Sequence, residues 1–367
     1  MLHRAWFRQF DYLLFAGALC LCAIGLVGIY SATIHGADSA LFVRQAIWIG
    51  AGVFLAFLVM AIDYRFLTDH ALLFYGLTML LLVAVLIFGR EINGSKSWIR
   101  FGSFGIQPSE PAKIVVILTL ASYLSQLNDN YLRRKDVAAL AGLTLLPVIL
   151  ITMQGDLGTA LTFLPILVGT MLVAGLRLKF LIFVLVVILC VAPLGWLTLK
   201  DYQKQRILVT LNPDLDPNGV GYQTRQSLIA IGSGGLMGKG LGNGLQSQLG
   251  FVPEIHSDFI FALLAEELGF LGAAAILSLY LAGLLRMVGI GDRANDRAGI
   301  LIVTGVASLV CFHVFVNVGM TLGIMPAIGI PLPLLSYGGS STLAMFMALG
   351  LVLNVHSRRF VYSEASV

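Results

Sequence analysis

The sequence predicts an all-α integral membrane protein, and its composition is the first observation that indicates this. Of the 367 residues, 58% are hydrophobic and only 11% are charged. A soluble domain carries about 25% charged residues. A chain this apolar has too few polar side chains to cover a water-facing surface, so lipid must be the solvent for most of it. This excludes soluble, fibrous and disordered classes, and no basic stripe indicates nucleic acid as a partner.

The second observation is a series of hydrophobic segments long enough to cross a bilayer. A spanning helix needs about 20 mostly apolar residues. Ten segments qualify: 12–32, 41–62, 69–88, 108–127, 137–153, 157–175, 180–199, 259–290, 299–324 and 336–356. The sequence therefore predicts about ten transmembrane helices in one polytopic membrane domain covering 1–367. The even number predicts that both termini lie on the same side.

Charge placement predicts which side that is, because cytoplasmic loops carry an excess of Lys and Arg. With a cytoplasmic N-terminus, the loops on that side hold most of the cations, whereas the outer loops 33–40, 154–156 and 325–335 hold none. The outer connection 89–107 breaks this pattern with Arg90, Lys96 and Arg100. These cations are either tolerated surface charge or retained for function, and the sequence leaves both interpretations open.

The cysteines and the N-terminus indicate no additional class of site. Cys20, Cys22, Cys190 and Cys311 all lie inside apolar runs, without the spacing of a disulfide framework or a zinc site. The apolar run that follows the basic, aromatic N-terminus is too long for a signal-peptide core. We therefore interpret that run as the first spanning helix.

A long outer loop, 200–258, separates the seventh predicted span from the eighth. A loop of about sixty residues between packed helices is either functional or disordered. Apolar residues such as Tyr222, Leu228 and Ile229 recur through it and favour a folded loop with a short interfacial helix. Its glycine-rich stretch, 231–244, lacks the Lys-Ser/Thr pair of a nucleotide-binding loop and indicates either backbone flexibility or close approach to a lipid pyrophosphate.

Two charged residues near the start of the fourth predicted span ought to be costly in a membrane. Glu110 and Lys113 lie three residues apart, so they share one helix face and can pair. A charge at the centre of a span costs about 2.5–3.5 kcal/mol on insertion scales, so such residues usually face a cavity or each other. Glu110 and Lys113 are interpreted either as an ion pair that locks helix packing or as part of a cavity wall. The two interpretations are compatible.

Further acidic residues lie at the predicted helix ends on the outer side. Asp156 is a candidate N-cap for the sixth span, and either Ser257 or Asp258 for the eighth. A helix N-terminus would make Asp258 a weaker base, whereas burial would act the other way. Glu266 and Glu267 follow in the same predicted helix and are either structural or part of a polar cavity.

Six motifs in order along the chain resemble the SEDS family, named for shape, elongation, division and sporulation. They are QPSEPAK, QGDLGT, DYQKQR, DPNGVGYQTRQSLIAIGSGGLMGKG, PEIHSDFIFALLAEELG and GIPLPLLSYGGSS, which together extend over nearly the whole chain. The short N-terminus and DYQKQR resemble the RodA branch of this family rather than its division branch, FtsW.

The resemblance implies a peptidoglycan glycosyltransferase of the bacterial inner membrane that polymerises lipid II on the outer face, for cell-wall elongation and rod shape. It implies a class B penicillin-binding protein as the transpeptidase partner, other elongation-complex proteins as further partners, and surrounding membrane lipids. It also implies a divalent cation, Mg or Mn, whose site is unknown. By the motif match Asp258 takes the place of the essential aspartate, here a candidate general base, with Glu110, Lys113 and Asp156 as supporting groups.

The chain departs from the family pattern in a loop where cations are expected. Ser97 precedes Trp98 where an arginine is frequent, which leaves Lys96 or Arg100 to supply the charge. Lys96, Lys113, Arg206 and Arg225 are the candidate cations for a pyrophosphate leaving group.

A lipid II flippase is the rival hypothesis, and a scaffold for the transpeptidase is a third. A flippase is expected to keep a charged cavity near the midplane. Here the candidate acids and cations lie on the outer side, beside the large loop, which favours chemistry there.

Overall fold

A computed structural model of the chain describes residues 10–33, 40–92, 95–101, 104–127, 131–177, 219–251 and 254–364, with a few isolated residues between them. Thirteen helices lie in these ranges: α1 Tyr12–Thr33, α2 Ala40–Ala61, α3 Tyr64–Asp69, α4 Ala71–Phe88, α5 Ser109–Ser125, α6 Arg134–Met153, α7 Leu157–Leu161, α8 Phe163–Val173, α9 Val220–Gly234, α10 Leu245–Gln248, α11 Ile260–Gly291, α12 Arg297–Thr321 and α13 Gly339–Glu364. Three strands lie between α4 and α5: β1 Arg90–Ile92, β2 Ser95–Phe101 and β3 Phe104–Ile106.

The described helices confirm the predicted fold class. Seven of them, α1, α2, α4, α6, α11, α12 and α13, are long and apolar enough to cross a membrane. Helix α5 and the α7–α8 pair correspond to the fourth and sixth predicted spans but are shorter. Large apolar side chains are exposed along these helices, as expected where lipid is the solvent. The chain is a multi-pass membrane protein; the seventh predicted span, 180–199, lies outside the described residues.

Helix α5 is largely buried inside the bundle. Its residues from Ala112 to Leu124 are almost all buried, and it packs against α4, α12 and α13. The contact with α12 is close because Gly305 carries no side chain: a Cβ there would lie 2.9 Å from Ile117. Small residues at such crossings allow helix backbones to approach in the absence of a hydrophobic driving force.

The connection 89–107, predicted as a loop, forms a small antiparallel sheet instead. The strands pair in the order β1–β2–β3, with Ile99 opposite Ile106. The backbone N–H of Lys96 donates to the carbonyl of Gln154 at 2.8 Å, which attaches the sheet to the α6–α7 connection. Strands β1 and β3 have three residues each, too few to show a period, and the sequence of β2, SKSWIRF, does not alternate apolar and polar residues, so the sequence pattern did not reveal them.

Two predicted helices that were continuous in sequence are interrupted in the structure. The sixth predicted span divides at Thr162 into α7 and α8. Within α11, Gly269 adopts φ 70° and ψ −169°, and a Cβ there would lie 2.2 Å from the backbone nitrogen of Gly238. The interruption lets the glycine-rich stretch pass directly against the α11 backbone, which only glycine permits.

The two ends of α12 mark the two ends of the bundle. At one end, the Arg297 guanidinium donates to the carbonyls of Leu127 and Ala174 and so joins the segments that follow α5 and α8. At the other end, the Ser227 hydroxyl of α9 donates to the carbonyl of Thr321 at 2.8 Å. We refer to these as the Arg297 end and the Thr321 end.

Candidate active site

Asp258 lies at the Thr321 end, in the turn that precedes α11. The predicted capping role is wrong: α11 begins at Ile260, and its N-cap is Phe259, with no side-chain cap. The turn closes through its own backbone, because the N–H of Asp258 donates to the carbonyl of Glu254 at 3.1 Å. The flanking side chains of Ile255 and Phe259 are buried, whereas Asp258 is partly exposed. The buried side chains of Ile255 and Phe259 thus anchor the turn, while the Asp258 carboxylate stays partly exposed.

The position of Asp258 is fixed from α12 and from the segment between α12 and α13. The Asn317 side-chain amide donates to the backbone carbonyl of Asp258 at 2.9 Å and to that of Ile330 at 2.8 Å. A Cβ on Gly329 would lie 3.2 Å from the Asp258 carboxylate oxygen Oδ2. One buried amide therefore holds the aspartate turn and the Gly329 backbone side by side.

Residues 328–331, which we term the central segment, contact the motifs of Asp156 and Asp258 and the buried His313. The Ile328 carbonyl lies 2.7 Å from where a Cβ of Gly158 would be, at the start of α7. Gly329 borders Asp258, as described above. The carbonyl of Pro331 lies 3.1 Å from Nδ1 of His313 in α12. Motifs that are far apart in the sequence therefore meet around four consecutive residues.

Asp156 caps α7, as the sequence predicts. Its Oδ1 accepts from the Thr159 backbone N–H at 3.0 Å, and its Oδ2 accepts from the Thr159 hydroxyl at 2.8 Å and from the Gln107 amide at 2.6 Å. The Gln107 backbone N–H donates to the Ser340 hydroxyl at 3.0 Å. Asp156 therefore ties together the start of α7, the β3–α5 junction and the start of α13.

The predicted pairing of Glu110 with Lys113 is present, and the pair is deeply buried. The Lys113 ammonium lies 2.8 Å from Glu110 Oε1, and the two side chains are 1% and 5% exposed. Removing either partner would leave an uncompensated charge in a low-dielectric interior. The pair is therefore enclosed by other parts of the protein rather than exposed on an open cavity wall.

Glu266 and Glu267 anchor the glycine-rich stretch to α11, so of the two roles that the sequence left open, structural or cavity-lining, the structural one applies. Glu266 accepts from the Lys239 ammonium at 2.8 Å and from the Ser247 backbone N–H at 3.1 Å. Glu267 accepts from the Gly242 backbone N–H at 3.1 Å and from the Ser31 hydroxyl. The glycines here permit close packing, since a Cβ on Gly238 would lie 2.1 Å from the Glu267 carbonyl.

Two of the remaining candidate cations, Lys96 and Arg225, lie on described elements. Lys96 is exposed on β2, next to the α6–α7 connection. Arg225 is exposed on α9, next to Thr224, which lies at the Thr321 end beside Gly323. Arg206 lies outside the described residues. In the described part of the chain, no three His, Cys, Asp or Glu side chains form a cluster that could hold a metal ion.

Sequence reasoning missed three residues that organise this site: His313, Asn317 and Gly329. His313 and Asn317 are almost fully buried in an apolar span. A polar side chain inside a span is itself a functional signal, and this signal could have identified both. Gly329 lies within a motif used for the family resemblance, but its contact with Asp258 depends on tertiary structure.

The fold and the site together define a multi-pass α-helical membrane protein with an acidic site at one end of the bundle. Residues 11–360 match the family model described as cell cycle protein, which covers FtsW, RodA and SpoVE. The chain therefore belongs to this family, the SEDS family.

Curated relatives span nearly the whole chain. It is 36% identical to the peptidoglycan glycosyltransferase RodA of Treponema pallidum, over 96% of this chain and 98% of the relative. It is 37% identical to the peptidoglycan glycosyltransferase MrdB of Escherichia coli K12, over 95% of this chain and 93% of the relative. It is 40% identical to the stage V sporulation protein E of Bacillus subtilis, over 94% of this chain and 96% of the relative.

Two solved structures share the fold. A chain of a peptidoglycan synthase complex, described as coordinating polymerization and crosslinking, matches with TM-score 0.83 and 35% identity over 96% of this chain and 98% of that one. The rod shape determining protein RodA of Thermus thermophilus matches with TM-score 0.73 and 34% identity over the same shares.

Proposed function

We propose that this protein is a peptidoglycan glycosyltransferase that polymerises lipid II, with Asp258 as the general base. The family membership and the names of the relatives support the reaction class. The observation that carries the site is the setting of Asp258: a partly exposed carboxylate whose backbone is fixed by Asn317 and whose side chain borders Gly329. A base must be held in place and still be reachable by a substrate hydroxyl.

The site is proposed to face the outside of the cytoplasmic membrane, with both termini in the cytoplasm. The described cations support this orientation because they concentrate at the Arg297 end: Arg133, Arg134, Arg177, Arg286, Arg293, Arg297, Arg358 and Arg359. An excess of Arg and Lys is typical of cytoplasmic loops. The Thr321 end, with Asp258, then faces outward, where a lipid-linked sugar would be polymerised.

The proposed reaction joins the 4-hydroxyl of an acceptor GlcNAc to the anomeric carbon of the donor MurNAc. Asp258 takes the hydroxyl proton as the new carbon–oxygen bond forms, and the bond to undecaprenyl pyrophosphate breaks. An α-linked donor gives a β-1,4 product, so the displacement inverts and one base is sufficient. The pyrophosphate leaves as an anion and needs nearby positive charge rather than an acid.

The exposed cations are the proposed contacts for that pyrophosphate. Arg225 and Lys96 are both exposed, and Arg206 remains a candidate from the sequence. Lys113 is enclosed and paired with Glu110, so we assign the pair to structural support. A divalent cation would help to neutralise the pyrophosphate, because Mg²⁺ commonly takes one or two carboxylates together with substrate phosphates. Asp156 is a described carboxylate that would serve as its ligand and leave Asp258 free to act as the base.

A class B penicillin-binding protein is the proposed partner. A solved structure with the same fold is described as part of a synthase complex that coordinates polymerization and crosslinking. A glycan strand that emerges at the outer face would be crosslinked by a transpeptidase located there. Other elongation-complex proteins remain proposed partners from the family resemblance.

Glycan polymerisation from labelled lipid II tests the proposal directly. The purified protein with its transpeptidase partner would be compared with Asp258→Asn and Asp258→Ala, with and without a chelator. We expect polymer from the wild type, loss of at least about 10²-fold in both variants, and a lower rate with the chelator. Full activity in a folded Asp258→Ala protein would overturn the assignment of the base.

A matched control separates loss of chemistry from loss of folding. Asp292 is an exposed aspartate just after α11, at the Arg297 end of the bundle. Asp292→Ala is expected to retain polymerisation. If the wild type makes no polymer in an assay that a known polymerase passes, the flippase hypothesis gains, and translocation of labelled lipid II across vesicles is the next measurement.

A further inference from the structure

A buried glutamine lies on the inward face of α2, and the function assigned so far gives it no role. Five residues of α2 are buried, and the four besides Gln45, namely Gly52, Ala56, Val59 and Met60, are small or apolar. The Gln45 side chain is 1% exposed. A polar side chain buried in a membrane span is costly unless it is hydrogen-bonded, and such residues often mark functional sites. The partners of the Gln45 amide therefore indicate what it does.

The Gln45 amide binds the connection that leads into α13, residues 336–342. Its Nε2 donates to the Ser336 carbonyl at 3.3 Å and to the Thr342 hydroxyl at 3.1 Å. Its Oε1 accepts from the Gly338 backbone N–H at 3.1 Å. One side chain on α2 thus holds three successive parts of this connection, through its oxygen and its nitrogen at once.

The connection 336–342 in turn holds the turn that carries Asp258. The Tyr337 backbone N–H donates to the His256 carbonyl at 2.9 Å, two residues before Asp258. The His256 and Tyr337 rings also pack edge to face, with their centroids 5.5 Å apart. Because Asn317 holds the same turn from α12, the turn is fixed from two directions.

The same connection is also joined to Asp156. The Ser340 hydroxyl accepts from the Gln107 backbone N–H at 3.0 Å, and the Gln107 side-chain amide donates to Asp156 Oδ2 at 2.6 Å. The two acidic residues of the site are therefore both linked to one short stretch of chain. Gln45 is the side chain that attaches this stretch to α2.

We propose that Gln45 is a positioning residue for Asp258 and Asp156, acting through residues 336–342. The proposal rests on the proposed function, because it gives Gln45 a part in placing the general base. Without the amide, the connection loses three hydrogen bonds, and the two acidic residues lose a common support. The structural alternative is that Gln45 only holds α2 against α13.

Asn354 offers a matched control, because it makes the same kind of contact at the other end of the same helix pair. Its side-chain amide on α13 donates to the carbonyls of Val59 and Ile62, at the end of α2. Val59 lies about 21 Å along α2 from Gln45. Gln45→Met and Asn354→Leu therefore both remove amide bonds between α2 and α13, and Gln45→Met does so beside the acidic motifs.

Hydrogen exchange measures the positioning without any activity assay. The backbone N–H groups of Ser257 and Asp258 both donate to the Glu254 carbonyl, so their exchange reports opening of this turn. In the purified full chain, we expect a peptide covering 254–259 to exchange about fivefold faster in Gln45→Met than in the wild type. We expect no change there in Asn354→Leu. Equal protection of this peptide in the wild type and in Gln45→Met would overturn the proposal.

A milder variant keeps the test decisive if Gln45→Met does not insert into the membrane. Thr342→Val keeps the shape of the side chain and removes one of the three groups that Gln45 binds. We expect faster exchange of the peptide 254–259 in Thr342→Val also, by a smaller factor of about twofold. Unchanged exchange in a folded Thr342→Val protein would contradict a role for the Gln45 contact.

Polymerisation rates then separate positioning of the acidic residues from helix packing. We expect Gln45→Met to lower kcat by about threefold to tenfold while KM for lipid II changes by less than about twofold. Asn317→Leu loosens the same turn, so its effect combined with Gln45→Met should be smaller than the product of the two single effects. Asn354→Leu combined with Asn317→Leu should give the product.

The two measurements fail in distinguishable ways. A combined effect equal to the product for Gln45→Met with Asn317→Leu would show that the two residues act independently, and would overturn the proposal. A wild type that makes no polymer would contradict the proposed function instead. The exchange of the peptide 254–259 would still decide whether Gln45 holds the turn of Asp258.

Discussion

The carboxylate of Asp258 and the backbone of Gly329 are in contact, with Oδ2 only 3.2 Å from the position of a Cβ on residue 329. Gly329 has φ 77°, a conformation that costs a residue with a side chain about 1–2 kcal/mol. A methyl group here would both strain the central segment and displace the carboxylate. The absence of a side chain at 329 is therefore a condition for the observed position of Asp258.

Gly329→Ala is expected to reduce polymerisation more than it reduces stability. A Cβ at this distance forces the carboxylate to move by a few tenths of an ångström. Because a misplacement of about 1 Å can lower a rate by about 10²-fold, we expect a smaller loss, of about threefold to tenfold. Gly250→Ala is the control, because Gly250 has φ 69° and open space around its Cβ position. Rates of polymerisation and melting temperatures of the two variants would be compared. Equal loss of activity in both would show that strain alone, and not the contact with Asp258, is responsible.

Asn317→Leu is expected to uncouple Asp258 from the central segment. It leaves the carbonyls of Asp258 and Ile330 without their shared donor, at a cost of about 1–3 kcal/mol for each buried group. Asn354 makes the equivalent double contact elsewhere, since its amide donates to the carbonyls of Val59 and Ile62. Asn354→Leu therefore imposes a similar loss of stability far from Asp258.

Melting curves and polymerisation rates at a temperature where both variants are folded would separate the two effects. We expect comparable destabilisation but a fall in rate, of about tenfold or more, only for Asn317→Leu. A rate that is equal in the two variants would contradict a positioning role for Asn317.

The sequence predicted what depends on local pattern and missed what depends on tertiary contact. Long apolar runs predicted the spans, and the capping carboxylate of Asp156 was predicted from its place between two of them. The break at Gly269 was not predictable from the sequence, because it depends on a tertiary contact. The backbone of Gly238 packs directly against Gly269 at this point. Asn317 makes both of its contacts outside its own helix, and no pattern within α12 specifies them.

Lys113→Met is expected to destabilise the protein by about 3–5 kcal/mol, because it leaves Glu110 charged and buried without a partner. The double variant Glu110→Gln with Lys113→Met removes both charges and is expected to recover most of the stability and much of the polymerisation. Arg133→Met breaks the exposed pair with Asp129 and is expected to cost about 0–1 kcal/mol.

Thermal unfolding and polymerisation of these variants would be measured side by side. A double variant that is stable but makes no polymer would contradict our assignment of the pair to support, and would place its charges in the chemistry instead.

Asp156 offers a test that separates a helix cap from a required charge. Asn caps a helix about as well as Asp, whereas loss of the cap in Asp156→Ala costs about 0.5–2 kcal/mol. Suppose that the role of Asp156 is only to cap α7 through Thr159. Asp156→Asn then keeps polymerisation near the wild-type rate, whereas Asp156→Ala lowers both stability and rate. Because the asparagine lacks the negative charge, a folded but inactive Asp156→Asn would instead mean that the charge itself is needed, as a ligand for a divalent cation would require. Titrating Mg²⁺ in the polymerisation assay distinguishes these outcomes, since only a cation ligand would shift the Mg²⁺ concentration needed for half-maximal rate.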